Sequence, residues 1–375
     1  MRITRREFGR LTAASTVVSA LPGLGARGLA QSAASPSGRK IRYAIVGLGR
    51  ISMDHFMPGT KTSALSEVTA FVSGHPEKAR GLAGAYNVPA SSIYSYEDMD
   101  RIRDNPNIDA VYIALPNSMH AEYTIRAAQA GKHVLCEKPM ATTVADSEAM
   151  IAACAKAKRK LMIAYRCQLE PTTLHARQLV RSGALGTIQA IESANGFNIG
   201  PDWRINRKLA GGGPLMDVGI YSLNGCRFLT GEEPAVLSAY SSVIDHDGRF
   251  DEVEENVSWT MKFPSGIVAS CNTTYGAGME GFYRVHGSKG MIHVEPAFGY
   301  QGIHLTGHMA GAAKGQPGTS VDNLEQERDP AQFTREADYF SKCILDDTQP
   351  GPSGEEGLRD MKLITEIYRS AGRPA

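Results

Sequence analysis

Two short stretches of the 375-residue chain carry side chains able to move a proton. The first is His133-Val134-Leu135-Cys136-Glu137-Lys138-Pro139, where an apolar run ends abruptly in an acid, a base and a proline. The second follows Gly211-Gly212-Gly213 and places a carboxylate, Asp217, four residues before a phenol, Tyr221. Residues four apart in a helix share one face, so Asp217 and Tyr221 can act together. An ammonium such as Lys138 can hold an oxygen that gains negative charge, and a carboxylate can orient a hydroxyl. A phenol, protonated near neutrality, can give or take the proton itself, and a nearby ammonium favours its anion. Each stretch also has an ordinary reading, as a Lys-Pro turn closing a strand or a polar pair on a surface helix.

The elements around these residues favour the chemical reading. The 134–136 run suits a strand buried on both faces, and ligands of open parallel sheets bind beyond the carboxyl ends of the strands. Glu137 and Lys138 then stand at the crevice, and Pro139 permits a cis bond after Lys138. Upstream, a first strand over 41–46 leads directly into Gly47-Leu48-Gly49-Arg50-Ile51-Ser52. Gly47 allows a tight turn, Gly49 lets backbone approach a pyrophosphate, and the helix opening at Arg50 and Ile51 turns amides toward the anion. Ser52 stands where a third glycine or alanine is usual and is still small enough for close packing. The strand before and the helix after are what separate a dinucleotide loop from an ordinary glycine turn.

A second strand over 68–72 ends in Ser73 rather than the acid that would hold a ribose 2'-hydroxyl. Ser73, Lys78 and Arg50 can accept a 2'-phosphate without charge repulsion, which predicts NADP in preference to NAD. A third strand over 109–114 runs into Leu115-Pro116-Asn117-Ser118-Met119-His120, with Pro116, Asn117 and His120 expected against the cofactor. Helices over 121–130 and 144–157 and a strand over 161–164 continue the alternation that builds a parallel sheet.

The second half reads differently. Strands over 188–197, 235–243, 253–263, 267–275, 282–286 and 291–294 are separated by turns such as Pro264-Ser265-Gly266 and Gly287-Ser288-Lys289-Gly290. Residues 306–330 show no clear period and read as a loop. Helices over 332–345 and 354–371 close the chain.

Composition narrows the function. With 42% hydrophobic residues and a net charge of +1, the chain can bury a large core, divides into two domains and offers no basic stripe for nucleic acid. Its six cysteines lack any Cys-x-x-Cys pair, so they read as reduced packing residues, and no metal site is expected. Thr4-Arg5-Arg6-Glu7-Phe8-Gly9-Arg10 followed by a small-residue apolar run reads as a twin-arginine signal, which predicts export of a folded protein to the periplasm. That run is too short and glycine-rich for stable membrane insertion. The expected organisation is a signal over 1–34, a dinucleotide-binding domain over 35–165, a substrate and oligomerisation domain over 166–350, and a helix over 351–375 returning to the nucleotide domain.

Gly47-Leu48-Gly49, Leu115-Pro116-Asn117-Ser118-x-His120, Glu137-Lys138-Pro139, Tyr165-Arg166-Cys167, Trp203-Arg204 and Gly211-Gly212-Gly213-x-x-x-Asp217-x-Gly219-x-Tyr221 stand in one order over nearly the whole mature chain. In this the sequence resembles the glucose-fructose oxidoreductase/inositol dehydrogenase family, nearest its glucose-fructose oxidoreductase branch. The resemblance implies an α/β Rossmann domain followed by an α+β domain with an open, mostly antiparallel sheet. It implies that Asp217 and Tyr221 look toward Lys138, that the triple glycine lies close to the cofactor, and that Glu137, Arg166, Trp203 and Arg204 contact it. Tyr300 is an expected sugar contact beside Asp217 and Tyr221. Either Tyr221 or Lys138 can be the proton carrier.

The implied activity is a periplasmic, NADP-dependent oxidation of an aldose at C1 to a lactone, with the hydride returned from tightly held NADP to a second sugar. The alternative is a redox-neutral, NAD-dependent glycosidase of the same fold, which Ser73 and Tyr221, in place of an acid and a histidine, argue against. A third reading is a non-catalytic sugar- or nucleotide-binding protein, disfavoured by the intact Lys138, Asp217 and Tyr221. Sugars, the twin-arginine export machinery and further copies of the chain, as a dimer or tetramer, are the expected partners.

Overall fold

The computed structural model describes residues 38–311 and 316–373; the twin-arginine pattern lies outside them. The apolar runs of the first half form β1 (Ile41–Val46), β2 (Ser66–Val72), β3 (Ile93–Tyr94), β4 (Ala110–Ile113), β5 (His133–Cys136) and β6 (Leu161–Ile163). All pair in parallel, in the order β3-β2-β1-β4-β5-β6. Strand order reverses between β1 and β4, which opens a crevice at their carboxyl ends. The glycine loop leaves β1 at that point, and Lys138 leaves the same end of β5, one strand beyond β4.

The near-continuous apolar character of β1 follows from its two covered faces. Ala44 and Val46 enter one core; Ile41, Tyr43 and Ile45 enter another with Phe56, Phe333, Ala337 and Phe340. Three of those partners belong to the helix Ala331–Leu345, whose Ser341 hydroxyl lies 2.9 Å from the Tyr43 hydroxyl. This helix thus packs on the nucleotide-side sheet. Phe333, Ala337 and Phe340 make an apolar stripe at helical spacing, and its mate is the nucleotide-side sheet. Burying the two phenylalanines contributes about 1.5–3 kcal/mol each. The last helix, Gly354–Ser370, is also tied to this sheet, through Ile163 N–H donating to Pro352 O at 2.8 Å.

The second half forms an eight-stranded sheet of β7 (Ile188–Gly196), β8 (Ala235–Ser242), β9 (Asn256–Lys262), β10 (Val268–Thr274), β11 (Met279–Gly287), β12 (Gly290–Val294), β13 (His304–Met309) and β14 (Thr319–Leu324). Its order is β14-β13-β12-β11-β7-β10-β9-β8, antiparallel except for β7 with β10. The last two strands fall where a loop was expected. β13 and β14 pair from His304↔Leu324 to Met309↔Thr319, but β14 is a polar edge strand with one side in water, so it lacks the apolar alternation that announces a buried strand. The helix Pro171–Arg181 was also not anticipated. Its signal was local: Glu170 caps it by accepting from Thr172 N–H at 2.7 Å and Thr173 N–H at 2.6 Å, and Pro171 occupies the first turn.

All six cysteines are free thiols, and no helix among the described residues is long and apolar enough to cross a membrane.

Candidate active site

Asp217 lies in a π-helical turn, Leu215–Gly219, that runs into the α-helix Ile220–Thr230 carrying Tyr221. Buried Glu254 fixes the start of this turn, accepting from the N–H groups of Gly213 at 3.1 Å and Leu215 at 3.4 Å and from the Tyr368 hydroxyl at 2.8 Å. The triple glycine serves that anchoring. A Cβ on Gly212 would stand 2.1 Å from the Tyr368 hydroxyl, and one on Gly213 would stand 2.5 Å from Glu254 O. Glycine is what lets Tyr368 and Glu254 pack this closely on the backbone.

From this turn Asp217 gathers three partners. Lys138 Nζ donates to Asp217 O at 2.7 Å and to Oδ1 at 3.2 Å. Arg204 Nε lies 3.1 Å from Oδ2, and the Tyr275 hydroxyl donates to that oxygen at 2.7 Å. Burial alone would raise the Asp217 pKa, but Lys138 and Arg204 hold it below the usual carboxylate range. Lys138 behaves in the matching way. Burial opposes its charge, yet Tyr221, Asp217 and Glu137 outweigh burial and raise its pKa. The Lys138–Pro139 bond is cis.

Tyr221 completes the group. Lys138 Nζ stands 4.7 Å from its ring centre, and the Arg166 guanidinium carbon stands 5.3 Å from it. Arg166 also covers Tyr300 at 4.5 Å, and burial pushes the Tyr300 hydroxyl up to about 12. Lys138, Asp217, Tyr221, Arg204, Arg166 and Tyr300 therefore form one connected cluster. Arg204 enters it through Asp217, with the half-buried Trp203 ring 4.8 Å from its guanidinium.

Several expected cofactor contacts do other work. Arg166 is buried and committed: Nη1 donates to Gly299 O at 2.8 Å and Gln332 Oε1 at 2.6 Å, and Nη2 to Phe298 O at 2.5 Å. Its role is to clamp the pocket wall between two tyrosines. The His120 ring nitrogens lie 2.8 Å from Pro139 O and 2.9 Å from Leu115 O, bracing two strand ends. Asn117 Nδ2 donates to Ala210 O at 2.9 Å, steadying the segment that enters the triple glycine, and Pro116 beside it is half-buried. Ser73 is buried, and its hydroxyl accepts from His75 N–H at 3.0 Å as a turn cap. Glu137 is half-buried with the Tyr112 hydroxyl 2.5 Å from one oxygen, and burial raises its pKa. Tyr275 was missed in the sequence because it follows a strand end far from any motif.

The residues at the switch point fit a dinucleotide. Gly47 has φ +96°, and a Cβ there would stand 2.3 Å from Ala114 O, so the tight turn requires glycine. A Cβ on Gly49 would meet nothing within 4 Å, which leaves open space over the loop for a pyrophosphate. Ser52 closes the loop from below, its hydroxyl 2.7 Å from Gly47 O and 3.0 Å from Gly49 O. Ile51 is half-buried, while the Arg50 side chain is 94% exposed, with Nε 3.8 Å from Asp54 Oδ2, and stands where an anion over the loop can reach it. Lys78 reaches back to the loop, donating to Leu48 O at 2.5 Å, and an ammonium keeps further donors for a phosphate.

Residues 41–165 match the family model described as an oxidoreductase family with an NAD-binding Rossmann fold, and residues 173–293 match the GFO/IDH/MocA C-terminal domain. The chain belongs to the GFO/IDH/MocA family of oxidoreductases. Among the relatives of this family member, the NADP(+) D-xylose 1-dehydrogenase of Haloarcula marismortui is 32% identical over 88% of this chain and 91% of its own. The inositol 2-dehydrogenase of Rhizobium meliloti is 27% identical over 88% and 96%. A solved structure of the aldose-aldose oxidoreductase from Caulobacter crescentus, complexed with glycerol, superposes with a TM-score of 0.84 at 46% identity, covering 89% of this chain and 98% of that one. The protein is thus an oxidoreductase with the Rossmann and open-sheet architecture expected from its sequence.

Proposed function

We propose that this protein is a periplasmic, NADP-dependent sugar oxidoreductase that oxidises an aldose at C1 to its lactone and returns the hydride to a second sugar, making a polyol. The observation that carries the reading is the hold of Asp217 on the Lys138 ammonium, with the Tyr221 ring 4.7 Å from Nζ. Oxidising a carbinol releases a hydride and a proton. When bound, the nicotinamide nucleotide supplies the acceptor for that hydride and, in reverse, its donor. Gly47, Gly49 and Arg50 would hold the nucleotide, with Lys78 and Arg50 favouring the 2'-phosphate of NADP over NAD.

Lys138 and Tyr221 divide the remaining work. Lys138, raised in pKa and bonded to Asp217, stays an ammonium through neutral pH and holds the sugar oxygen as its charge changes. Tyr221 takes the hydroxyl proton, with Lys138 and Arg166 against its ring to hold it in place. In the second half-reaction Tyr221 gives the proton back to the oxygen of the reduced sugar. Asp217 orients Lys138, and Tyr275 and Arg204 orient Asp217.

The names of the relatives support sugars as the substrates, and the Arg5-Arg6 pattern supports export with the nucleotide already bound. Free nicotinamide nucleotide is scarce in the periplasm, which favours a cofactor that is held and recycled in place. The test uses the purified mature protein with no added cofactor. Denaturation releases NADP, and incubation of the native protein with glucose and fructose yields gluconolactone and sorbitol in equal amounts. Release of nitrophenol from a nitrophenyl glycoside without either product would instead establish the glycosidase.

A further inference from the structure

Beside the catalytic cluster is an open cleft of about 600 Å³ walled by Asn195, residues 278–281, Pro296, Phe298 and Gly299. Lys138, Asp217 and Tyr221 do not line it. It adjoins them through shared walls. The Phe298 ring is 5.6 Å from the Tyr221 ring, and the Phe298 and Gly299 carbonyls are held by Arg166, which also covers Tyr221. On the other side Asn195 Nδ2 donates to the carbonyl of Val218, the residue after Asp217, at 3.2 Å. The cleft thus continues from both segments that carry the chemistry.

Its size and lining define an occupant. Pockets of about 300–1,000 Å³ hold ligands of drug size, larger than the single ring that Lys138 and Tyr221 would act on. The lining has one charged side chain, the exposed Glu280, and no lysine or arginine. A carboxylate accepts from the two hydroxyls of a diol but repels phosphates and sugar acids. The half-buried Phe298 ring offers an apolar surface of the kind that packs on the C–H face of a pyranose. Gly281 keeps the wall open, since a Cβ there would stand 2.8 Å from both Asn195 Oδ1 and Phe298.

We infer that this cleft seats a second, neutral sugar ring linked to the ring at Lys138, so that the substrates include oligosaccharides oxidised at their reducing end. This rests on the proposed sugar oxidation, and the test separates the two. The protein as purified, with its nucleotide, is given glucose or cellobiose as donor and fructose as acceptor. Binding of each donor is also measured by calorimetry, for the wild type and for Glu280→Ala, an exposed position on β11. The expected result is a kcat/KM for cellobiose about ten-fold above glucose, arising in KM, and a loss of most of that preference in Glu280→Ala, the scale of one hydrogen bond to a charged group. Glucose turnover with no preference for cellobiose, or an unchanged preference in Glu280→Ala, overturns the cleft assignment and leaves the sugar oxidation standing. Tighter binding of cellobiose that Glu280→Ala abolishes, with turnover of neither sugar, upholds the cleft and overturns the oxidation. Neither binding nor turnover overturns both.

Discussion

The helical segment 215–230 carries a charge cluster toward each end, and the two are built to opposite specifications. Near its start, Asp217 meets Lys138 and Arg204 with side-chain exposures of 18%, 11% and 35%. Near its end, Arg227, 2% exposed, meets Glu233, Glu356 and Asp360, and Asp360 is 0% exposed. Asn224 Nδ2 donates to the second Asp360 oxygen at 2.9 Å, which helps close that network. The closed cluster fastens the helix to the C-terminal helix Gly354–Ser370. The open one keeps its ammonium and phenol within reach of the crevice. A charge network with every group matched inside the protein sets position, whereas one left partly open is completed by a substrate.

Breaking each cluster in turn tests that distinction. Tyr221→Phe keeps the ring between Lys138 and Arg166 but removes the proton carrier; kcat falls about 10²–10⁴-fold, with the melting temperature unchanged. Steady-state kinetics beside thermal unfolding reads both. Arg227→Met does the converse. It leaves Asp360 buried without its cation, Glu356 keeping Arg359, and costs about 3–5 kcal/mol of stability, while kcat per folded molecule stays near wild type. Denaturant unfolding checks the first part, and active-site titration the second.

The smallest effect concerns the acids behind the site. Burial pushes Glu336 well above the ordinary glutamate range, Glu137 adds to this and Arg166 opposes it; burial also raises Glu137 itself. The folded state therefore binds more protons than the unfolded chain, and stability falls as pH rises from about 4.3 through the folded values. Glu336→Gln removes part of that slope and is more stable than wild type at pH 8. Urea midpoints from pH 5 to pH 8 measure it, and an unchanged slope would contradict the assignment.

How much of this was legible depended on whether a residue's role is local. The glycine loop, the strand that ends in Lys138 and the pair Asp217–Tyr221 follow from spacing and the residues on either side. Tyr275 and Glu254 act on Asp217 and its turn from positions flanking distant strands, and nothing beside them in the chain marks that role. Ser73, His120 and Arg166 have the right chemistry for a cofactor site, but the Ser73 hydroxyl, both His120 ring nitrogens and both terminal nitrogens of Arg166 are engaged by protein groups, which only the assembled fold displays. The β13–β14 pair was hidden because an edge strand needs no apolar alternation.

The central claim is that Tyr221 carries the proton and Lys138 keeps its charge. Single-turnover hydride transfer from an aldose, followed by nicotinamide absorbance in H2O and in D2O for the wild type, Lys138→Met and Tyr221→Phe, tests it most directly. The expected result is slower transfer in Lys138→Met with the solvent isotope effect of the wild type still present, and loss of that isotope effect in Tyr221→Phe. An isotope effect that vanishes in Lys138→Met and persists in Tyr221→Phe would make Lys138 the proton carrier and contradict this assignment.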